Sequence, residues 1–114
     1  MTFIRTTFLA AILTTAFALH AYALSFENIA GKWCGEASDY IFSRDTLVVV
    51  FPDGSPMRRF KVTSYNYSGG NVTMIWINGK GKETYTDFNE FSSDGQRMVQ
   101  LQTDVSPRRT FHRC

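Results

Sequence analysis

Two cysteines, Cys34 and Cys114, constrain what this chain can fold into more than any other feature of its sequence. The chain has 114 residues and only these two cysteines. When a chain is exported, an even number of cysteines favours a disulfide. The alternative of a redox pair is disfavoured, because such pairs usually have the close spacing Cys-x-x-Cys. A zinc site would need more ligands than Cys34, Cys114 and His112 supply. A bridge closing about 80 residues is worth about 4.5 kcal/mol by chain entropy. We therefore predict a small domain whose ends are joined by a Cys34–Cys114 disulfide.

The N-terminal stretch has the three parts of a secretory signal peptide. Arg5 supplies the positive region, residues 8–19 are apolar or small, and Ala21-Tyr22-Ala23 places small residues at the −3 and −1 positions of a cleavage site. This apolar run is shorter than the roughly 20 residues that a membrane-spanning helix needs. We predict a signal peptide over residues 1–23, a single β-barrel domain over residues 24–114, and a periplasmic or secreted location.

The charge of the chain is nearly balanced. Its formal net charge is +2, and removing Arg5 with the signal peptide lowers this to +1. Proteins that bind nucleic acid usually carry a strongly basic face. We therefore expect no nucleic-acid partner, no role on anionic membranes in general and no transmembrane span after signal cleavage.

Beyond residue 30, aromatic or β-branched runs alternate with short turn clusters, as is typical of an all-β domain. Residues 46–51 (TLVVVF) form the most apolar run, and Asn78-Gly79 is the strongest hairpin signal. The runs recur roughly every ten residues and every connection is short, so neighbouring strands should pair as antiparallel hairpins. We predict a small antiparallel up-and-down barrel of about eight strands, closed by one disulfide.

The residues beside the cysteines should form a second structural device. Side chains alternate across a strand, so Trp33 and Cys34 point to opposite faces, and so do Arg113 and Cys114. If the cysteines share one face, Trp33 and Arg113 share the other together with Phe111. The guanidinium can then stack on the indole ring, which is worth about 0.5–2 kcal/mol. Gly31 would leave room for Trp33 at the end of the barrel.

Gly31-Lys32-Trp33 resembles the G-x-W signature in the first strand of lipocalins and related calycins. In that family the tryptophan packs at the closed end of a barrel, under an arginine from near the C-terminus. The resemblance implies a lipocalin-like barrel in which Arg113 has this role, with Arg109 as the reserve candidate. The whole chain is also similar to short, uncharacterised exported proteins of Gram-negative bacteria, which implies a compartment but no activity.

A second resemblance is to the periplasmic inhibitors of C-type lysozyme, which are exported, eight-stranded and of similar size. Their working loop carries a Ser-Gly-x-x-Tyr type of motif. Tyr67-Ser68-Gly69-Gly70 contains the Ser-Gly, and Val72 occupies the position of the tyrosine. This resemblance implies that a surface loop inhibits a hydrolase.

Few residues have the arrangement that catalysis requires. The only histidine after the signal peptide, His112, should share the face of the disulfide. Glu83 and Asp87 lie four apart on one strand face, and paired carboxylates can perform acid–base catalysis. A solvated strand face explains them more simply, because charged side chains prefer the surface. We predict that the protein is not an enzyme and has no catalytic, cofactor-binding or metal site; a hydrolase using the two carboxylates is a distant alternative.

A surface for protein binding is predicted on the long run that begins at residue 57. Tyr65 and Tyr67 with Arg58 and Arg59 combine two residue types that are enriched at protein interfaces. We expect a non-catalytic β-barrel binding module that contacts an envelope protein or holds a small apolar ligand. The alternative is an inhibitor of a host hydrolase such as lysozyme.

Overall fold

The computed structural model describes residues 23–104 and 106–114, which form one short helix and eight strands. The predicted signal peptide lies outside the described residues except for Ala23. No helix in the described part of the chain is long and apolar enough to cross a membrane. The bounds are α1 Phe26–Ile29, β1 Gly31–Cys34, β2 Asp39–Phe42, β3 Thr46–Val50, β4 Arg58–Ser68, β5 Asn71–Ile77, β6 Glu83–Asn89, β7 Arg97–Gln100 and β8 Arg109–Arg113.

The strands pair in chain order as antiparallel neighbours, and β8 pairs with β1 to close the barrel. This confirms the predicted all-β up-and-down barrel. Because the strands alternate in direction, the connections fall into two sets. We call the end with the β1–β2, β3–β4, β5–β6 and β7–β8 loops the mouth end. The opposite end, which carries α1 and the other three loops, is the helix end.

Several turns are held by polar side chains that hydrogen-bond within the turn. Asn78 Oδ1 accepts the backbone amides two and four residues ahead, at 2.9 and 3.0 Å. Asp53 accepts the Ser55 amide at 2.9 Å, and hydrogen bonds from Ser55 lower the pKa of Asp53. The Ser92 hydroxyl donates to Asp94 at 2.6 Å and likewise lowers the pKa of Asp94. These short connections explain why consecutive strands pair with each other.

Large apolar side chains fill the lumen of the barrel. Phe42 and Phe88 meet edge to face with ring centroids 5.2 Å apart, and both are buried. Burial of such a side chain stabilises the fold by about 1.5–3 kcal/mol. The buried core, in which every side chain is at most 3% exposed, consists of Ile29, Trp33, Phe42, Leu47, Val62, Val72, Met74, Phe88, Met98 and Phe111.

A β-bulge in β4 reverses which side chains in the second half of the strand point into the barrel. Val62 is opposite Trp76, but the next pair is Ser64 with Ile75, so Thr63 is an extra residue in the strand. The bulge restores an inward direction at Tyr65, which strict alternation from Val62 would have turned outward. Simple alternation along the sequence does not reveal this extra residue.

The two structural devices beside the cysteines are both present. Cys34 and Cys114 form the predicted disulfide, with their Cα atoms 5.7 Å apart. Trp33 is opposite Arg113 in the register of β1 and β8, and the Arg113 guanidinium carbon lies 4.0 Å from the centroid of the Trp33 ring. The Trp33 indole donates to the carbonyl of Ile29 at 2.9 Å. One strand junction therefore carries a covalent link on its outer face and a cation–π pair on its inner face.

Arg113 ties this junction to the segment that contains α1. It donates hydrogen bonds to the carbonyls of Asn28, at 3.2 Å, and Ala30. Burial lowers the pKa of Arg113 from its ordinary value. Gly31 makes room for Arg113 rather than for Trp33, because a Cβ at Gly31 would lie 3.2 Å from Arg113 Nη1. Gly31 also has a φ of 93°, which side chains other than glycine rarely adopt.

Candidate functional site

A cleft of about 700 Å³ opens at the mouth end of the barrel. One wall is the β1–β2 loop, residues 35–38, and the other is formed by residues 107–112, which lead into and include most of β8. This volume lies in the range of about 300–1,000 Å³ that is typical of ligand sites. We call it the mouth cleft.

Gly35 brings the β1–β2 loop down onto the core. A Cβ on this residue would lie 2.7 Å from Cε1 of Phe111 and 2.9 Å from the carbonyl oxygen of Ser38. The Gly35 amide donates to that same carbonyl at 3.1 Å, which closes the loop. Only a residue without a side chain can take this position, so Gly35 sets the wall of the mouth cleft directly above Phe111.

Tyr40 orders the side chains behind the cleft. Its ring stacks on Phe111 with centroids 4.8 Å apart. Burial raises the pKa of Tyr40, while interactions of its hydroxyl with Arg109 and Ser38 act in the opposite direction. Ser38 is 3% exposed, and Arg109 is half-buried. Arg109 thus interacts with a packed tyrosine and lines the open cleft.

The two neighbouring arginines of the cleft differ in their partners. Arg108 forms an ion pair with Glu90, and this is the one ion pair found among residues 23–104 and 106–114. Arg109 therefore has no carboxylate partner in that part of the chain. Glu36, on the opposite wall, is exposed. The mouth cleft therefore contains one arginine, Arg109, whose charge has no carboxylate partner in residues 23–104 and 106–114.

A second concavity of about 500 Å³, more open than the first, lies between residues 57–61 and residues 77–79. The Arg58 guanidinium carbon lies 5.6 Å from the centroid of the Phe60 ring. Met57 is 58% exposed beside it. We call this second surface the basic groove.

The predicted tyrosine–arginine surface does not form a single patch. Arg58 and Arg59 are at the mouth end of β4, whereas Tyr65 and Tyr67 are at its helix end. Arg59 and Tyr65 are six positions apart along the strand, a distance of roughly 20 Å. Tyr67 is 38% exposed. The hydroxyl of half-buried Tyr65 donates to the carbonyl of Ser43 at 2.7 Å, and burial raises the pKa of Tyr65.

The arginine that accompanies the tyrosines is Arg44, in the β2–β3 turn. Its guanidinium carbon lies 4.7 Å from the centroid of Phe26, and the Phe26 ring contacts Tyr65 with centroids 5.2 Å apart. Burial raises the pKa of Tyr67, and the charge of Arg44 opposes that rise. The position of Arg44 near these tyrosines could have been inferred from the sequence, because in a meander the β2–β3 turn lies beside β4.

The carboxylates of β6 interact with neighbouring polar groups and not with each other. Glu83 accepts a hydrogen bond from the Tyr85 hydroxyl at 2.9 Å. Asp87 accepts from the Thr73 hydroxyl and, at 3.1 Å, from the Asn71 side chain. Neither carboxylate lines the mouth cleft or the basic groove. This arrangement is that of a solvated sheet face.

His112 is exposed on the outer face of β8, opposite Cys34, and lines the outer rim of the mouth cleft. The described residues contain no group of three histidine, cysteine, aspartate or glutamate side chains that could hold a metal ion. Ser68 is exposed and Gly69 has a φ of 58° in the β4–β5 turn. Val72, at the position of the tyrosine in the lysozyme-inhibitor motif, is fully buried in the core.

The fold assigns the chain to the closed, antiparallel, up-and-down β-barrels, and the mouth cleft is more enclosed than the basic groove. No family model, curated protein or solved structure matches the chain. The barrel and the mouth cleft are therefore the features that bear on its function.

Proposed function

We propose that this protein is an exported, non-catalytic binding module that contacts an envelope protein through the mouth cleft. One observation carries the proposal: the lumen is filled with side chains, while a cleft of about 700 Å³ stands open at one end. A segment of a partner protein can enter this cleft without displacing the core. The disulfide supports export, because such bonds persist in oxidising compartments.

The filled lumen favours a protein partner over a small apolar ligand. Trp33, Phe88 and Met74 are each at most 1% exposed, and a ligand inside the barrel would have to displace such side chains. The mouth cleft is lined instead by charged and polar groups as well as by the Phe111 ring. Mixed walls of this kind suit a peptide segment, which itself carries both polar and apolar groups.

The experiment is affinity capture from a cell-envelope extract of the source organism. Ala37 is exposed in the loop of the cleft, so Ala37→Trp should fill the cleft and leave the core intact. Ser93→Trp, in the exposed β6–β7 turn at the helix end, is the matched control. The wild type and Ser93→Trp should retain the same partner, and Ala37→Trp should lose it. Equal retention by all three proteins would refute a role for the cleft.

A second candidate function is inhibition of a hydrolase such as lysozyme through the β4–β5 turn. The observation in its favour is that Cβ atoms built on Gly69 and Gly70 would meet no atom within 4 Å. The turn therefore projects into open space, next to the exposed Tyr67. Inhibition by a projecting loop requires this accessibility.

A further inference from the structure

We infer that the mouth cleft binds a carboxylate group, which the Arg109 guanidinium holds. The inference rests on the proposed function, because it names the chemistry that the same cleft recognises.

Arg109 is available to bind an anion. It is half-buried, lines the cleft and has no carboxylate partner in residues 23–104 and 106–114. The adjacent Arg108 lines the same cleft but is paired with Glu90. A partly desolvated guanidinium interacts more strongly with an added anion than a fully hydrated one does. Of the two arginines, Arg109 is the one that can accept a ligand.

The neighbours of Arg109 restrict its position. Arg109 begins β8, where it pairs with Gln100, and its charge acts on the Tyr40 hydroxyl. Tyr40 is fixed in turn by its stack on Phe111. A long side chain held in this way has less conformational entropy to lose when it binds than a free surface arginine has. Tyr40 is thus a positioning residue for Arg109.

The charge of the cleft walls favours a carboxylate. Two arginines and Glu36 line the cleft and Glu90 pairs with Arg108, so the walls have no net positive charge and Arg109 is the lining arginine without an ion-pair partner. One planar guanidinium matches the two oxygens of one carboxylate, whereas phosphate sites commonly gather several donors and cations. Phe111, Pro107 and Ala37 offer an apolar lining for the carbon skeleton beside the carboxylate.

A carboxylate can come from a free organic acid or from an acidic residue of a protein partner. The first arm of the experiment tests the free acid. The oxidised protein is titrated with N-acetylphenylalanine and, in parallel, with its amide, while backbone amide shifts are recorded by NMR. The amides of Glu36, Ala37 and Thr110 should shift saturably with the acid, and the amide ligand should bind at least about tenfold more weakly.

Three variants complete this arm. Arg109→Gln should weaken binding of the acid at least about tenfold, and Arg97→Gln, at an exposed residue of β7 that lines neither the mouth cleft nor the basic groove, should leave it unchanged. Glu36→Gln removes the opposing negative charge and should tighten binding about two- to fivefold. Tighter binding by Glu36→Gln is measured with Arg109 intact. It cannot result from damage to the fold, because damage would weaken binding. Equal binding of acid and amide, with no effect of Arg109→Gln, would overturn the inference but leave the cleft as a binding site.

The second arm repeats the envelope capture with Arg109→Gln and Arg97→Gln. If the free acid does not shift the cleft amides, loss of the partner by Arg109→Gln alone places the carboxylate on the protein partner. If the acid has no effect and Arg109→Gln retains the partner, the inference is wrong. Failure of the proposed function gives a separate result, namely retention of the partner by the Ala37→Trp variant.

Discussion

Removal of the disulfide should cost this barrel a large share of its stability. The bridge joins residues separated by 80 positions, which links almost the whole domain. By the chain-entropy relation, a loop of this length restricts the unfolded chain by about 15 cal/mol/K, or about 4.5 kcal/mol at 25 °C. A domain of this size has a total free energy of unfolding of about 5–14 kcal/mol. The double variant Cys34→Ser, Cys114→Ser should therefore fold only marginally.

The assay is urea denaturation of the oxidised wild type and of the double variant, followed by tryptophan fluorescence at low temperature. The midpoint should fall by an amount equivalent to about 4.5 kcal/mol, and the m-value should rise because an unlinked unfolded chain exposes more surface. The matched control is the wild type in reducing agent, which should behave like the double variant. A loss below about 1 kcal/mol with an unchanged m-value would show that the bridge does not act on the unfolded state.

Three further predictions concern single features. Gly35→Ala should lower the free energy of unfolding by about 1–3 kcal/mol in the same assay, because the added methyl group overlaps Phe111; an unchanged midpoint would contradict this packing. Burial raises the pKa of Tyr40 and of Tyr65 above the unfolded value of 10.0, so these two groups should leave the free energy of unfolding unchanged below pH 10 and lower it above pH 10; ultraviolet titration alongside denaturation checks this, and ionisation of all tyrosines near pH 10 in the folded protein would refute it. The inhibitor hypothesis predicts that micromolar protein slows bacterial lysis by C-type lysozyme and that Ser68→Arg restores it, whereas unaltered lysis would contradict that hypothesis.

The architecture was predictable because its signals are local. Each hairpin has its own turn chemistry, such as Asn78, and antiparallel pairing follows from short connections without knowledge of the tertiary structure. Alternation then placed Trp33 and Arg113 on one face and the cysteines on the other. The bulge at Thr63 was not predictable, since a single extra residue leaves no periodic signal.

The mouth cleft could not be predicted, because its walls come from opposite ends of the sequence. Residues 35–38 and residues 107–112 meet only after the barrel has closed. The residues of the predicted tyrosine–arginine surface lie apart for the opposite reason. Its residues are close in sequence, but β4 extends over 11 residues and separates the arginines from the tyrosines. Proximity along an extended strand is a poor guide to proximity in space, since each residue adds about 3.3 Å.

The two arginines of β8 explain why the proposed binding site is placed at one end of the barrel. Arg109 and Arg113 lie four residues apart, so both point to the inner face of the same strand. The segment around α1 covers Arg113, whose donors are occupied by the carbonyls of Asn28 and Ala30. Arg109, the reserve candidate for the pair with Trp33, lies at the other end and lines a cleft. A ligand at the helix end would have to displace those hydrogen bonds and the cation–π contact, whereas a ligand at the mouth end meets a guanidinium already in place.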